Sequence, residues 1–551
     1  MSKYTLGIDY GTLSARTVLM NCLDGSIAAS ATKLYPHAVI DRELPDGTLL
    51  PAGWALEDAE DYLLALEQTV RRVMGESGIQ KEDVIGLSID FTSCTVVAAD
   101  EQKRALSSLE QFRGRPHAWT KLWKHHGAQA QADEINDLLT RKGMIDEPRY
   151  GGAISPELLL PKVLQTLRED PEIYQAASVF LEAGDWLTWN LTGELRRSGN
   201  MASYKAMWTP KDGYIPKEVL LELDPRLENL VEEKLRGEVC PPGGCIGRLT
   251  EQWADRLGLM PGIAVGASII DSHAGMPGSG ICRKGQMMLV LGTSSVELLL
   301  SDQPYSSHGV VGAVRGAIMP GYYSLEAGLA AVGDMYGWFV DGFAPASYEK
   351  EAAEKGINLH QLLSEKARDL EPGSSGLLAL DWWNGNKTPY VNGDLSGVLV
   401  GLTLQTRPEE IYRALIEATA YGTRMIMEEF MKSGAKVDEV IVSGGIAEKN
   451  PLVLRIFTDV LNRPVKVSAS DQTAALGSAM YAAAAAGEEA GGFSSVARAA
   501  QELARLKDEV YLPDAQHAEV YDRLFGLYRE LVECFDPAKM QVLRELREMR
   551  R

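Results

Sequence analysis

One pattern occurs twice in the chain: an apolar run, a turn that contains Gly-Thr, and a second apolar run. The first copy spans residues 4–20 with the turn GTLS, and the second spans residues 286–300 with the turn GTSS. Each copy predicts a strand, a tight turn and a second strand. Because the two copies lie far apart in the sequence, they indicate two domains that are built on one plan.

The division between the two domains is predicted at residues 275 and 276. The nearby segment HAGMPGSG, residues 273–280, is rich in residues that interrupt regular structure. Residues 1–275 then form an N-terminal domain and residues 276–551 a C-terminal domain. A chain of 551 residues is long enough for this division, since domains average about 150 residues.

Predicted helices and strands alternate, which is typical of α/β layers. The segment 105–160 is predicted to be irregular. The helix that begins near residue 57 is predicted to end at Gly75. Apolar periodicity predicts helices at residues 57–74, 172–191, 408–432 and 473–486.

Composition limits the classes of partner. The chain has 76 Asp and Glu against 55 Lys and Arg, a net charge of −21. Such a field repels phosphate, so neither nucleic acid nor an anionic membrane is a predicted partner. The start of the chain lacks the pattern of a signal peptide, no run of 18 apolar residues occurs, and the six cysteines have no repeated spacing. These features predict a reduced, cytoplasmic protein.

The first turn contains residues that suit a polyphosphate. Asp9 ends the apolar strand, so its carboxylate can face a Mg²⁺ ion directly or through water. Gly11 lets the backbone approach a ligand closely, and Thr12 and Ser14 supply hydroxyl and N–H groups. Taken alone, the turn favours the simpler explanation, an ordinary hairpin with a polar tip.

The second turn and a later Gly-Gly segment favour nucleotide binding. Gly292 and Thr293 repeat the first turn, and two such turns could face each other across a cleft. Gly444 and Gly445 follow a predicted strand and lack side chains that would obstruct a flat ring or a ribose. Asn450 then caps the next predicted helix, which has a proline at its first position.

In this order and spacing, these segments resemble the FGGY carbohydrate kinases of the actin, hexokinase and heat-shock chaperone ATPase superfamily. The resemblance covers nearly the whole chain. It implies an α/β fold of two actin-like ATPase (ribonuclease H-like) domains with a cleft between them, ATP as a substrate, and Mg²⁺ near Asp9. The matching segments are GIDYGT (7–12), LGTSS (291–295), SGGIAEKN (443–450) and SDQTAALGSA (470–479).

Three further segments resemble family members that act on ribulose: residues 84–95, 112–126 and 266–275. They imply phosphorylation of L-ribulose, with D-ribulose also considered, at the 5-hydroxyl in arabinose catabolism. Phe91-Thr92 stands where relatives that act on xylulose usually have Met-His. The alternatives left open are a kinase of xylulose or another sugar, and a non-catalytic actin-like protein that binds sugar and nucleotide.

Asp271 is the predicted catalytic base. Phosphorylation of a sugar hydroxyl requires a group that accepts its proton as the bond to phosphorus forms. Asp271 follows the apolar run 265–270 and matches the catalytic Asp of the family. The alternative is that Asp271 is the N-cap of a following helix.

Four other residues are predicted to contact the sugar, together with Asp271. Thr92 and Ser93 follow a strand that ends near Asp90, and Lys205 lies where relatives place a polar substrate contact. Glu326 has apolar and small neighbours, as a carboxylate lining a cleft would. Lys205 is explained alternatively as a surface lysine and Glu326 as a salt-bridge partner. A homodimer is left open.

Overall fold

The computed structural model describes residues 2–147, 150, 152–307, 309–312, 314–538 and 541–550. The chain forms two compact units, which do not follow a single division at residues 275 and 276. After unit 2 has begun, the chain returns twice to unit 1. Unit 1 comprises Met1–Cys282, Ala313–Ser324 and Gln472–Arg505, and unit 2 comprises Arg283–Gly312, Leu325–Asp471 and Leu506–Arg551.

The elements of residues 4–278 belong to unit 1. In chain order they are β1 (Tyr4–Tyr10), β2 (Ser14–Asn21), β3 (Ile27–Leu34), β4 (Leu56–Glu57), α1 (Ala59–Ser77), β5 (Val84–Phe91), β6 (Val96–Ala99), β7 (Thr120–Lys121), α2 (Gln129–Arg141), α3 (Leu159–Glu169), α4 (Pro171–Ala176), β8 (Val179–Glu182), α5 (Ala183–Thr192), β9 (Arg196–Ser198), α6 (Gly199–Lys205), α7 (Lys217–Leu223), β10 (Glu238–Cys240), β11 (Cys245–Arg248), α8 (Glu251–Leu257), β12 (Ala264–Gly266), β13 (Ile269–Ile270) and α9 (Asp271–Gly278).

The later elements include two helices that belong to unit 1, at residues 473–486 and 496–503. In chain order the later elements are β14 (Gly285–Leu291), β15 (Ser295–Ser301), β16 (Tyr323–Ala327), α10 (Gly333–Phe343), α11 (Ala346–Lys355), α12 (Leu359–Arg368), β17 (Leu378–Leu380), β18 (Val398–Val400), α13 (Pro408–Met431), β19 (Val437–Ser443), α14 (Gly445–Lys449), α15 (Pro451–Leu461), β20 (Val465–Ser468), α16 (Thr473–Ala486), α17 (Val496–Leu503), β21 (Leu506–Tyr511), α18 (Ala515–Cys534) and α19 (Val542–Arg550).

The main sheets of the two units have the same strand order. In unit 1 the order is β11-β12-β5-β1-β2-β3, with β13 also paired to β5, and in unit 2 it is β21-β20-β19-β14-β15-β16. In each sheet the central hairpin, β1-β2 or β14-β15, is antiparallel. The next two pairings are parallel: β1-β5 and β5-β12 in unit 1, and β14-β19 and β19-β20 in unit 2. The last pairing, β12-β11 or β20-β21, is again antiparallel. This correspondence confirms the prediction that the two domains share one plan.

Helix α16 packs directly on β1, which precedes the turn of residues 11–14, and on α9, which begins with Asp271. A Cβ atom at Gly7 of β1 would lie 1.9 Å from the backbone oxygen of Ala475. A Cβ atom at Gly477 of α16 would lie 1.7 Å from the backbone oxygen of Ala274 in α9. Only glycine permits such close contact of backbones. The return of the chain to unit 1 therefore completes the packing around β1.

Three predictions of elements were wrong in detail. Helix α1 continues past Gly75, and it is Gly78, at a φ of 66°, that ends it. Residues 172–191 are not one helix, because the buried strand β8 pairs with β6 in their middle. The segment 105–160 is not wholly irregular, since α2 buries an apolar face within it.

Two predictions from composition concern the membrane and the cysteines. None of the described helices is long and apolar enough to cross a membrane. All six cysteines are free, as their spacing predicted.

Candidate active site

Three aspartates end three neighbouring parallel strands in the main sheet of unit 1. Asp9 and Asp90 are the penultimate residues of β1 and β5, and Asp271 directly follows β13. The register places Asp9 opposite Asp90, and Asp90 opposite Ile269 of β13. Ligands of open α/β sheets bind at the carboxyl ends of such strands. These three carboxylates therefore mark a candidate active site.

The carboxylates of Asp9 and Asp90 lie close enough for each to act on the pKa of the other. Burial raises the pKa of Asp9, and burial together with the negative charge of Asp9 raises the pKa of Asp90 well above its usual range. Ser478 Oγ donates to Asp90 Oδ2 at 2.5 Å, whereas none of the described residues donates to Asp90 Oδ1. A buried carboxylate pair of this kind is suited to a shared proton or a nearby cation.

Asp271 has different surroundings. It is half-buried and is the first residue of α9. The N-cap of α9 is Ile270, so the alternative prediction that Asp271 is the N-cap was wrong. Ser272 N–H donates to Asp271 Oδ1 at 2.6 Å. The preceding residue is also held, because Ile270 N–H donates to Asn200 Oδ1 at 2.9 Å. The charge of Asp271 contributes to the raised pKa of Asp90, so Asp271 belongs to the same cluster.

The first turn that was predicted to bind phosphate, residues 11–14, joins β1 to β2. Gly11 N–H donates to the carbonyl oxygen of Ser14 at 3.0 Å and closes the turn. Thr12 Oγ1 accepts a hydrogen bond from Nε1 of Trp123 at 3.1 Å. This contact was not predicted, and it leaves the Thr12 O–H able to donate to another group, since a hydroxyl both donates and accepts.

The second turn that was predicted to bind phosphate, residues 292–295, joins β14 to β15 in unit 2. Gly292 N–H donates to the carbonyl oxygen of Ser294 at 3.0 Å, which closes this turn as well. The start of α10 holds it, because Gly333 N–H donates to Gly292 O at 2.9 Å and Val332 N–H donates to Thr293 O at 2.8 Å. Both turns therefore have the same Gly-Thr start and a fixed backbone.

A cavity of about 510 Å³ lies in unit 2 and contains two of the predicted adenosine-site residues, Gly445 and Asn450. A Cβ atom at Gly445 would meet no heavy atom within 4 Å. Asn450 caps α15 as predicted, and its Nδ2 donates to Ser364 Oγ at 3.0 Å. The size suits a small organic ligand. Other lining residues include Tyr336, Ile357, Asn358, Gln361, Tyr412, Ile446 and Leu452.

Gly444 has a different role from Gly445. Its φ is 99°, and a Cβ atom there would lie 2.3 Å from the carbonyl oxygen of Leu291. Gly444 is therefore required by the close approach of β14 and is not among the residues that line the cavity.

Three of the predicted sugar contacts come together in unit 1. Thr92 is buried, its N–H donates to Tyr10 O at 3.1 Å, and its Oγ1 lies 2.9 Å from Thr95 Oγ1. Ser93 is half-buried at the tip of the same turn. Burial raises the pKa of the Cys94 thiol to about 12, and the charge of Lys205 opposes this rise, so Lys205 lies near the turn.

Glu326 lies in β16 of unit 2. Its N–H donates to Val311 O at 2.7 Å, and its side chain is half-buried. The predicted contact of Glu326 with the sugar stays a prediction.

Asp90 and Ser478 were missed by the sequence analysis. Asp90 carried a usable signal, because it ends an apolar run just as Asp9 does. Ser478 carried none, since its bond to Asp90 joins residues 388 positions apart in the sequence. The aromatic residues of the cavity, Tyr336 and Tyr412, were missed for the same reason.

Two domain models of one protein family match the chain. Residues 4–278 match the N-terminal domain and residues 287–486 the C-terminal domain of the FGGY family of carbohydrate kinases. The chain therefore belongs to the FGGY family of carbohydrate kinases and is a sugar kinase that uses ATP. The predictions of family, fold class and enzyme class are confirmed.

The relatives that match over the whole chain are more specific. The ribulokinase of Halalkalibacterium halodurans is 45% identical over 550 residues, which are 100% of this chain and 98% of that one. The ribulokinase of Geobacillus thermodenitrificans is 44% identical over 99% of this chain and 97% of its own. The crystal structure of gluconate kinase from Lactobacillus acidophilus has the same fold, with a TM-score of 0.80, 20% identity and coverage of 97% of this chain and 98% of that one.

Proposed function

We propose that the chain transfers the γ-phosphate of ATP to the 5-hydroxyl of ribulose, with L-ribulose as the main substrate, and releases ribulose 5-phosphate and ADP. The observation that carries the proposal is the cluster of Asp271, Asp9 and Asp90 at one edge of the sheet, in a chain whose full-length relatives are named ribulokinases. The reaction belongs to arabinose catabolism, and its place is the cytoplasm.

Asp271 accepts the proton of the 5-hydroxyl. As the hydroxyl oxygen bonds to the γ-phosphorus, the bond between that phosphorus and the bridging oxygen breaks, and ADP leaves with the electron pair. Asp271 is the member of the cluster that combines partial exposure with a carboxylate held by a backbone N–H. A base so fixed needs little rearrangement to reach a bound hydroxyl.

ATP is held by backbone and hydroxyl groups. Gly445 and Asn450 border the adenosine, with Gly444 fixing the backbone before them. Thr12 and Ser14 bind phosphate oxygens through N–H and O–H groups, and Thr293 does so in unit 2. Gly11 and Gly292 let the backbone approach the phosphates closely. A net charge of −21 makes such local donors necessary for a polyanionic substrate.

The residues present fit a Mg²⁺ ion that arrives with the nucleotide. Among the described residues, no group of three or more His, Cys, Asp and Glu is arranged to hold a metal. Mg²⁺ commonly binds through one or two carboxylates, with phosphate and water as the other ligands, and Asp9 with Asp90 offers that set. When bound, the ion would offset the negative charge that develops on the phosphate oxygens.

Sugar hydroxyls are bound by Thr92, Ser93, Lys205 and Glu326, in addition to Asp271. Hydroxyl, ammonium and carboxylate groups together can donate to and accept from a polyol. Lys205 lies close to the turn that carries Thr92 and Ser93, which supports a shared role for the three residues.

The test is a measurement of ADP release with ATP and Mg²⁺ and each of four sugars: L-ribulose, D-ribulose, L-xylulose and D-xylulose. We expect the highest kcat/KM with L-ribulose, and we expect phosphorus NMR of its product to place the phosphate on C5. If kcat/KM is highest with a xylulose, the main substrate is that xylulose and not ribulose. ADP release that does not depend on any sugar would contradict the proposal as a whole.

A further inference from the structure

The turn that carries Thr92 and Ser93 contains an unfavourable backbone conformation. Cys94 has a φ of 60°, in the left-handed region that residues other than glycine seldom adopt. Such conformations persist only where the surrounding structure holds them, and they are concentrated at functional sites. The group that holds Cys94 is therefore of interest for sugar binding.

That group is a buried lysine. Lys162 of α3 is 1% exposed, and its ammonium donates to the carbonyl oxygen of Cys94 and, at 2.8 Å, to that of Leu122. Burial lowers the pKa of Lys162, which means that its charge is costly in this position. Lysine is rarely buried so completely. An apolar residue of similar size would avoid this cost, but it could not bind the two carbonyl groups.

The same turn lies among other charged groups of unit 1. The charges of Lys162 and Lys205 both act on Cys94 and on two carboxylates, Glu157 and Glu182. Glu182 is buried, and no described residue donates to either of its carboxylate oxygens. The ammonium of Lys162 therefore contacts the turn directly, and Lys205, a predicted sugar contact, belongs to the same group of charges.

We propose that Lys162 is a positioning residue for the sugar site. By donating to Cys94 O, it fixes the left-handed conformation that sets the directions of Thr92 and Ser93 toward the ketopentose. This inference rests on the proposed function, since it assumes that this turn contacts the sugar.

The first test is Lys162→Met, which keeps most of the side-chain volume but removes the donor. We expect the KM for L-ribulose to rise by about tenfold or more, which corresponds to about 1.4 kcal/mol, while the KM for ATP stays within about twofold. The matched control is Lys121→Met. Lys121 is also buried, but it donates to Lys162 O and Thr166 Oγ1 and not to the turn. Lys121→Met should lower the melting temperature, but it should not raise the KM for L-ribulose relative to the KM for ATP.

The second test asks whether the left-handed conformation is the quantity that Lys162 controls. Glycine adopts this conformation without the penalty of a Cβ atom. In the background of Lys162→Met, Cys94→Gly should therefore return the KM for L-ribulose to within about threefold of wild type. A purely structural role of Lys162 predicts no such recovery.

The outcomes separate this inference from the proposed function. If the wild type shows no ADP release that depends on ribulose, the proposed function is wrong. If the wild type is active and Lys162→Met leaves the KM for L-ribulose unchanged, or raises both KM values alike, only the positioning role is wrong. If Lys162→Met does not fold, Lys162→Leu, which also removes the donor, takes its place, and an unchanged KM for L-ribulose in that variant overturns the role equally.

Discussion

Among the three clustered aspartates, surroundings rather than residue type separate the roles. Asp90 is fully buried, and burial together with the charge of Asp9 raises its pKa well above its usual range. Burial raises the pKa of Asp9, and the hydrogen bond with Asp90 opposes that rise. Asp271 is half-buried, and Ser272 N–H donates to its carboxylate. Partial exposure together with a carboxylate held by a backbone N–H distinguishes Asp271 as the candidate base.

We expect Asp271→Asn to lower kcat by roughly 10²–10⁴-fold, about 3–5 kcal/mol of barrier, because the amide cannot accept the proton. Binding of L-ribulose, measured by calorimetry, should stay within about tenfold of wild type. Glu251→Gln is the matched control, since it changes the first residue of α8, another helix of unit 1. A kcat of Asp271→Asn within about threefold of wild type would remove Asp271 as the base.

Glu297 in β15 should make stability depend on pH. It is buried, Ser295 and Thr423 donate to its Oε1, and burial raises its pKa to about 7. Since the folded pKa lies above the unfolded value of about 4.5, this residue contributes stability at low pH that is lost as the pH rises toward 7. Urea unfolding should show that the wild type loses stability relative to Glu297→Gln between pH 4.5 and 7. The exposed control, Glu519→Gln, should show no such trend.

At the residue scale, the sequence was sufficient where a side chain ends a recognisable strand or turn. The positions of Asp9, Asp271 and Asn450 could be predicted in this way, since these positions depend on neighbours in the chain. Lys162 could not be found, because a lysine in an amphipathic helix looks like a surface residue until α3 is seen to be buried against the turn.

At the element scale, the short helix α14 brings the backbone to the edge of the cavity that is proposed to hold adenosine. We expect Gly445→Leu to raise the KM for ATP by about tenfold or more and to leave the KM for L-ribulose within about twofold, because the side chain would fill open space in the cavity. Gly526→Leu, in the exposed part of α18, is the control. Equal changes of both KM values in a folded protein would argue against this adenosine site.

Helix α16 should be sensitive to a single methyl group. At Gly477→Ala the new Cβ atom would meet the backbone of α9, which cannot move aside cheaply, so we expect a loss of about 3 kcal/mol or more in the free energy of unfolding. Gly75→Ala tests the opposite case. Gly75 lies exposed within α1 with no heavy atom near, so alanine should stabilise the protein by about 1 kcal/mol. Denaturant unfolding measures both, and a stable Gly477→Ala would show that the two helices can separate.

Elements were predictable where local signals agreed with burial. Helices α13, α15 and α16 begin where their Pro, Asn-Pro and small-residue patterns predict. Strand β8 was not predictable, because its three apolar residues fit a helix as well as a strand until its pairing with β6 is known. Close packing of α16 on β1 was also beyond local signals, since it joins distant parts of the chain.

At the scale of the whole molecule, the two ligands should protect different segments most strongly. The cavity proposed to hold adenosine lies in unit 2, and Thr92, Ser93, Lys205 and Asp271 lie in unit 1. Hydrogen exchange with ADP alone should slow the amides of α12 and α15, and exchange with L-ribulose alone should slow those of residues 92–95 and α6. Protection of residues 92–95 by ADP, without protection of α12, would contradict the assignment of the cavity.

The return of residues 472–505 to unit 1 has a consequence for how the protein is made. A hydrophobic cluster joins Val18, Met20 and Ile85 to residues of α16 and α17, so the first unit to leave the ribosome lacks part of its own core. At 5–20 residues per second, synthesis of residues 283–471 takes roughly 10–40 s. During that interval the nascent N-terminal segment exposes the apolar face that α16 later covers. Newly made chains should therefore depend on holding chaperones until the ribosome has passed residue 505.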